Sequence, residues 1–220
     1  MTDSTLTPAT FVFDSATRAL VRLSARIAAG SESEVRSGVN ETVATETPAR
    51  WVEEVILQSY LFAGFPRALN AAREWRRIEV QGKRHSEVQA KREEGADFRA
   101  LGEAMCSLVY GKFYDKLRHN IVELHPELDE WMILEGYGKV LSRPGLDLVR
   151  RELCIVAACV AAGQDRQLHS HLHGARNVGA PERAISDTLE ALEGVVNEEH
   201  RRRSVLLWAR VKQRQMTDDG

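Results

Sequence analysis

Residues 18–52 reappear, without a gap, as residues 151–185 at a constant offset of 133. Nine positions are identical across the two stretches, among them Arg18/Arg151, Leu20/Leu153, Ala25/Ala158, Gly30/Gly163, Pro48/Pro181 and Arg50/Arg183. The glycine and proline pairs constrain the fold most. Glycine ends a helix readily because it tolerates backbone angles that other residues avoid, and proline suits a helix start. Between these markers the apolar residues recur with a helical period: Leu20, Leu23 and Ile27 in the first copy. The repeat predicts a helix-turn-helix-turn-helix unit used twice. One such unit cannot hide its apolar surface alone, so the copies are expected to pack together by a pseudo-twofold.

The rest of the chain reads as helix too. Segments 14–29, 32–45, 48–64, 68–80, 98–124, 127–141, 148–162, 165–178, 181–193 and 200–214 carry helical patterning or helix-boundary residues, with Leu69, Ala72 and Trp75 read as inward in the fourth. Gly64-Phe65-Pro66 should break or kink its helix. Residues 81–97 are charged and poor in large apolar side chains, which predicts a linker or an exposed helix end. The expected organisation is a first unit over 1–80, this linker, and a second unit over 98–220, with 216–220 frayed. The fold class is all-α. Aromatics make up 6% and charged residues 28%, a mix that favours helices over sheets.

A net charge of −2 gives no electrostatic case for nucleic acid. The basic run His200-Arg201-Arg202-Arg203 reads as a solvated helix face. The longest apolar run, 153–162, is too short for the ~20 residues that cross a bilayer, and the polar opening stretch predicts no secretory leader. Cys106, Cys154 and Cys159 form neither a disulfide framework nor a Cys-x-x-Cys motif, which fits a reducing cytoplasm.

Chemistry concentrates in the second copy. Glu152 lies 11 residues before Gly163 and His171 lies 8 after it. At about 1.5 Å per residue, antiparallel helices would bring the two to similar heights. His171 shares the inward face of its helix with Leu168, Leu172 and Ala175. A carboxylate and an imidazole at a partly dry helix junction can transfer protons; equally, they can be a core histidine and an acid favoured by the helix dipole. His169 and His173 have i, i+4 metal-ligand spacing, but no third ligand stands nearby, so no metal is expected. Cys154 and Cys159 read as buried, inert thiols.

Arg143-Pro144-Gly145-Leu146-Asp147, Arg151-Glu152-Leu153, the Ala-rich helix to Gly163, and His171 through Gly174-Ala175 to Gly179 resemble the carboxymuconolactone decarboxylase and alkylhydroperoxidase family. In the first half, Trp51-Val52-Glu53-Glu54-Val55, Phe62-Ala63-Gly64-Phe65-Pro66 and Ala68-Leu69-Asn70 resemble the closing part of that family's domain. In the alkylhydroperoxidase branch, a glutamate is followed by two cysteines and a histidine. Those positions here hold Glu152, Gln164, Gln167 and His171: the acid and base are kept and both thiols are lost. Glutamine cannot supply a thiolate nucleophile.

The first copy has Ala19 and Gly38 at the acid and base positions but keeps the aromatic turn, whereas the second has 195–199 there. This division predicts one composite site per chain, or one shared with a neighbouring copy. The resemblance implies a carboxy-lyase of aromatic degradation acting on a small cyclic unsaturated acid or lactone, without cofactor. Glu152 and His171 would be catalytic, and Arg143, Arg151, Phe62, Phe65, Gln164 and Gln167 would bind substrate. The rival readings are an antioxidant peroxidase using one of the three remaining cysteines, and a non-catalytic binding or scaffold protein. The expected partners are a small-molecule substrate and further copies of the chain, a trimer being favoured, with no nucleic acid and no membrane.

Overall fold

The computed structural model describes residues 11–80 and 96–218. Most of the expected linker, 81–95, lies outside these, as do residues 1–10 and 219–220. Every regular element among the described residues is helical. The first unit comprises α1 (Ser15–Ala29), α2 (Glu32–Ala44), α3 (Ala49–Gln58) and α4 (Tyr60–Val80). The second half begins with α5 (Phe98–Tyr110), a 3-10 turn at Gly111–Phe113, α6 (Tyr114–Leu124), α7 (Pro126–Trp131) and a π-helical segment, Met132–Leu141. It continues with α8 (Leu148–Ala161), α9 (Asp165–Asn177), α10 (Glu182–Ala191) and α11 (Glu198–Asp218).

The helix boundaries follow from local chemistry. Asp14 caps α1 by accepting from the Thr17 backbone N–H at 2.8 Å, and Asp147 caps α8 by accepting from that of Arg150 at 2.9 Å. Each carboxylate satisfies an N–H that has no partner inside the helix. A reciprocal capping box, Ser31 with Glu34, starts α2. The starts of α1, α2 and α3 recur 133 residues later: 148 − 15, 165 − 32 and 182 − 49. Thr17 and its counterpart at that offset, Arg150, hydrogen bond to each other at 2.9 Å, the kind of contact that a pseudo-twofold produces near its axis.

One hydrophobic core runs through both halves. Its axis is the pair α1 and α8, which lie against each other; residues 151–161 of α8 are all buried. Helix α9 folds back on α8, and α5 packs against both α9 and the π-helical segment.

Four expectations are corrected. The helix read over 98–124 is interrupted at Gly111, whose φ is 51°. The helix read over 127–141 changes from α to π at Met132, and Ser142 N–H donates to the Tyr137 carbonyl five residues back at 2.9 Å. The last helix runs beyond 214 to Asp218, so the fraying expected for 216–218 is not seen. Leu69 is 53% exposed rather than inward, while Trp75 is buried. The buried face of this part of α4 carries Ala68, Ala71, Trp75 and Ile78, and Leu69 lies one position off it. At the kink in α4 Gly64 takes φ 78°, a conformation that costs a side-chain-bearing residue steric strain.

Candidate active site

Helix α8 carries Glu152 into the core at zero exposure, and the return at Gly163 brings His171 of α9 opposite it. His171 Nδ1 and Glu152 Oε2 are 2.9 Å apart and buried. With the proton on Nδ1, the imidazole donates to the carboxylate and leaves Nε2 as an acceptor for another group. The second carboxylate oxygen, Glu152 Oε1, is buried without a hydrogen-bond partner. Such an atom forfeits hydration without replacement, a cost tolerated where the group has a further task.

Gly174 makes the arrangement possible. A Cβ there would come within 2.8 Å of Glu152 Oε2 and of Val109 Cγ1.

His171 opens onto a cavity of about 550 Å³, within the usual size range of small-molecule sites. Its walls are rich in aromatic side chains. Phe62 meets the His171 ring edge-on, with centroids 5.6 Å apart at 82°; Tyr60 and Phe65 stack at 4.7 Å. Tyr110 and Tyr137 meet edge to face at 6.3 Å, and both line the cavity. Burial pushes the pKa of both tyrosines up, and the nearby Glu152 charge pushes in the same direction. Both hydroxyls therefore stay protonated at neutral pH; that of Tyr137 donates to Tyr110, which leaves the Tyr110 proton for another acceptor. The first unit supplies Tyr60, Phe62 and Phe65, and the second supplies Gln167 and His171, so the cavity is composite within one chain.

The three cysteines stand apart from this chemistry. Burial pushes Cys106 and Cys159 up to about 12 and Cys154 higher still. A thiol so shifted is a poor nucleophile, because the thiolate is the reactive form.

A family model, the carboxymuconolactone decarboxylase family, matches residues 111–209. Over this stretch, 99 of the chain's 220 residues, the sequence is similar to that family. No curated protein matches the sequence. The matched stretch contains Glu152 and His171; Phe62 and Phe65 lie before it in the chain and reach the cavity through the fold.

The expected binding residues divide. Phe62, Phe65 and Gln167 line the cavity. Gln164 sits exposed at the start of α9 and does not line it. Arg143 and Arg151 are not at the cavity; both grip Glu54 of α3. Arg151 Nη2 reaches Glu54 Oε2 at 2.8 Å, and Arg143 Nη2 reaches Oε1 at 3.0 Å. The fully buried Arg151 also donates to the carbonyls of Leu146 and Arg143. The clamp reading of these arginines is thus corrected. They lie inward, but an acid of the first unit already holds them.

Sequence reasoning missed Tyr60, Tyr110, Trp131, Glu135 and Tyr137, all on the cavity wall. Met132, Gly136, Tyr137 and Leu141 converge because π-helical spacing places them on one face, and apolar periodicity does not reveal that spacing.

His169 and His173 meet edge to face with centroids 4.9 Å apart. Among the described residues, no group of three or more metal-ligating side chains forms. The basic run 200–203 is engaged with acids: Arg201 with Glu198, Arg202 with Glu199 and Arg203 with Asp165. No helix among the described residues is long and apolar enough to cross a membrane.

Proposed function

We propose that this protein catalyses cofactor-free proton transfer on a small cyclic unsaturated lactone or acid, decarboxylation included. The reading rests on one observation: a buried carboxyl group orients an imidazole whose other nitrogen is left for the occupant of an aromatic cavity. Loss of carbon dioxide, or removal of a proton beside a carbonyl, leaves an electron pair delocalised as a dienolate. The substrate itself then holds the charge, and the protein has to deliver or accept a proton at carbon. His171 is the acid or base. Glu152 holds the ring in place. Phe62 and Phe65 give the flat, apolar part of the substrate a surface to stack on. Glutamines at the two family cysteine positions, together with the buried thiols, support a thiol-free reaction.

The test is a panel of unsaturated lactones with and without a carboxyl group, carboxymuconolactone among them. Carbon dioxide release and deuterium uptake from heavy water are followed together. His171→Ala should lower turnover by about 10²–10⁴-fold with the helical circular dichroism unchanged. Turnover equal to that of the parent protein would sink the assignment.

The chain is also taken to form a homo-oligomer, a trimer being favoured. Leu108, Leu124 and Trp131 are more than half exposed, and exposed apolar surface of this kind favours association. Sedimentation equilibrium tests this, and a monomer at micromolar concentration would refute it.

A further inference from the structure

The proton-transfer reading leaves open how the cavity holds the oxygen on which charge develops. The geometry points to Tyr110, itself held by a hydrogen bond from Tyr137, as the donor for a carbonyl or enolate oxygen, and to an uncharged cyclic unsaturated ketone or lactone, rather than a free carboxylate, as the preferred ligand class.

Two sets of contacts carry this. First, α5 and the π-helical segment bring the two phenols together on the wall that also carries His171. They offer a donor for oxygen while the imidazole is placed for the proton at carbon, which is the division of labour that enolisation requires. Tyr137, which holds the Tyr110 hydroxyl, is only 4% exposed. A donor anchored to such packing needs little reorganisation when charge develops.

Second, the cations that could receive a carboxylate are committed elsewhere. Glu54 holds both Arg143 and Arg151, and no lysine or arginine is among the described lining residues. The acid on the wall, Glu135, is paired with Lys139 at 2.6 Å. A substrate carboxylate would thus enter a largely apolar space with Glu135 on its wall and no lysine or arginine among the described lining residues to offset its lost hydration.

This inference rests on the proton-transfer reading and narrows it to a proton shift, since decarboxylation would need a substrate carboxylate; two probes of one shape separate the two. 4-Nitrophenol presents one oxygen, whose charge can spread into the ring as in an enolate. 4-Nitrobenzoate presents a localised carboxylate on the same ring. Binding to the full chain is measured by equilibrium dialysis, and the ionisation of bound nitrophenol is read from its visible absorbance.

Nitrophenol should bind at least about ten-fold more tightly than nitrobenzoate. Tyr110→Phe should weaken nitrophenol about ten-fold, as expected for loss of one hydrogen bond to a charged group. Tyr137→Phe should weaken it less, through loss of the bond that holds Tyr110, and both should leave nitrobenzoate within about two-fold. Circular dichroism confirms that both variants fold. The inference is overturned if nitrophenol does not bind, if nitrobenzoate binds as tightly, or if Tyr110→Phe does not weaken nitrophenol. His171→Ala is the separate arm. If it leaves deuterium exchange unchanged while the Tyr110 effect persists, the proton-transfer reading fails and the oxygen site stands.

Discussion

Replacing Glu54 by Ala removes the carboxylate between two arginines and leaves their charges in place. Arg151 has no exposed surface and Arg143 keeps 18% of its side chain in contact with solvent. After the change, Arg143 can turn toward water, whereas Arg151 cannot. Arg151 retains the carbonyls of Leu146 and Arg143 and the side-chain oxygen of Gln58 as acceptors, so it loses its counter-charge but not all of its hydrogen bonds. Breaking a buried pair from one side costs about 3–5 kcal/mol, and these remaining acceptors place Glu54→Ala near the lower end, at about 3 kcal/mol. For a chain of this length that corresponds to a fall in Tm of about 6–12 °C. Thermal and urea unfolding followed by circular dichroism measure it. Adding Arg151→Met should recover most of the loss, because the second substitution removes the stranded charge. A loss under about 1 kcal/mol, the level of exposed pairs such as Arg202 with Glu199, would refute the reasoning. A KM raised more than ten-fold in the folded variant would return the arginines to substrate binding.

Further outcomes follow from the same geometry. Gly174→Ala should push Glu152 off His171 and cost about 1–3 kcal/mol through overpacking; loss of turnover larger than the loss of folded protein is the expected signature, and unchanged turnover counts against the Glu152–His171 pair. A maleimide at neutral pH should label none of the three cysteines in the folded protein and all three after denaturation, as counted by mass spectrometry; rapid native labelling would show a thiol that opens to solvent. For Asp14, burial by itself would raise the pKa, but hydrogen bonds from Thr17 and the charge of Arg150 outweigh it and hold the group below its ordinary 3.8. The folded state thus binds this proton less readily than the unfolded chain, so the stabilisation is fully present above 3.8 and is lost as pH falls through the lower folded value. Asp14→Ala should destabilise at pH 7 and converge with the parent protein in acid; an equal deficit at every pH would show that the carboxylate charge is not responsible.

The chain itself fixed its helical class and much of its register. Gly30, Gly163, Pro48 and Pro181 punctuate the helices through backbone sterics alone, and Asp14 and Asp147 cap them within three residues. These are local effects, so a linear reading captures them. The pairing of Glu152 with His171 was legible for a related reason: a short turn at Gly163 makes distance along the chain nearly equivalent to distance in space. Tertiary structure decided the rest. Arg143 and Arg151 look like ligand clamps until α3 delivers Glu54 from about 90 residues away in sequence. Tyr110 and Tyr137 become a pair only where α5 meets a π-helical segment, whose wider turn breaks the 3.6-residue period on which sequence patterns depend. Charge neutralisation and cavity shape arise from long-range contacts, and no spacing rule encodes those.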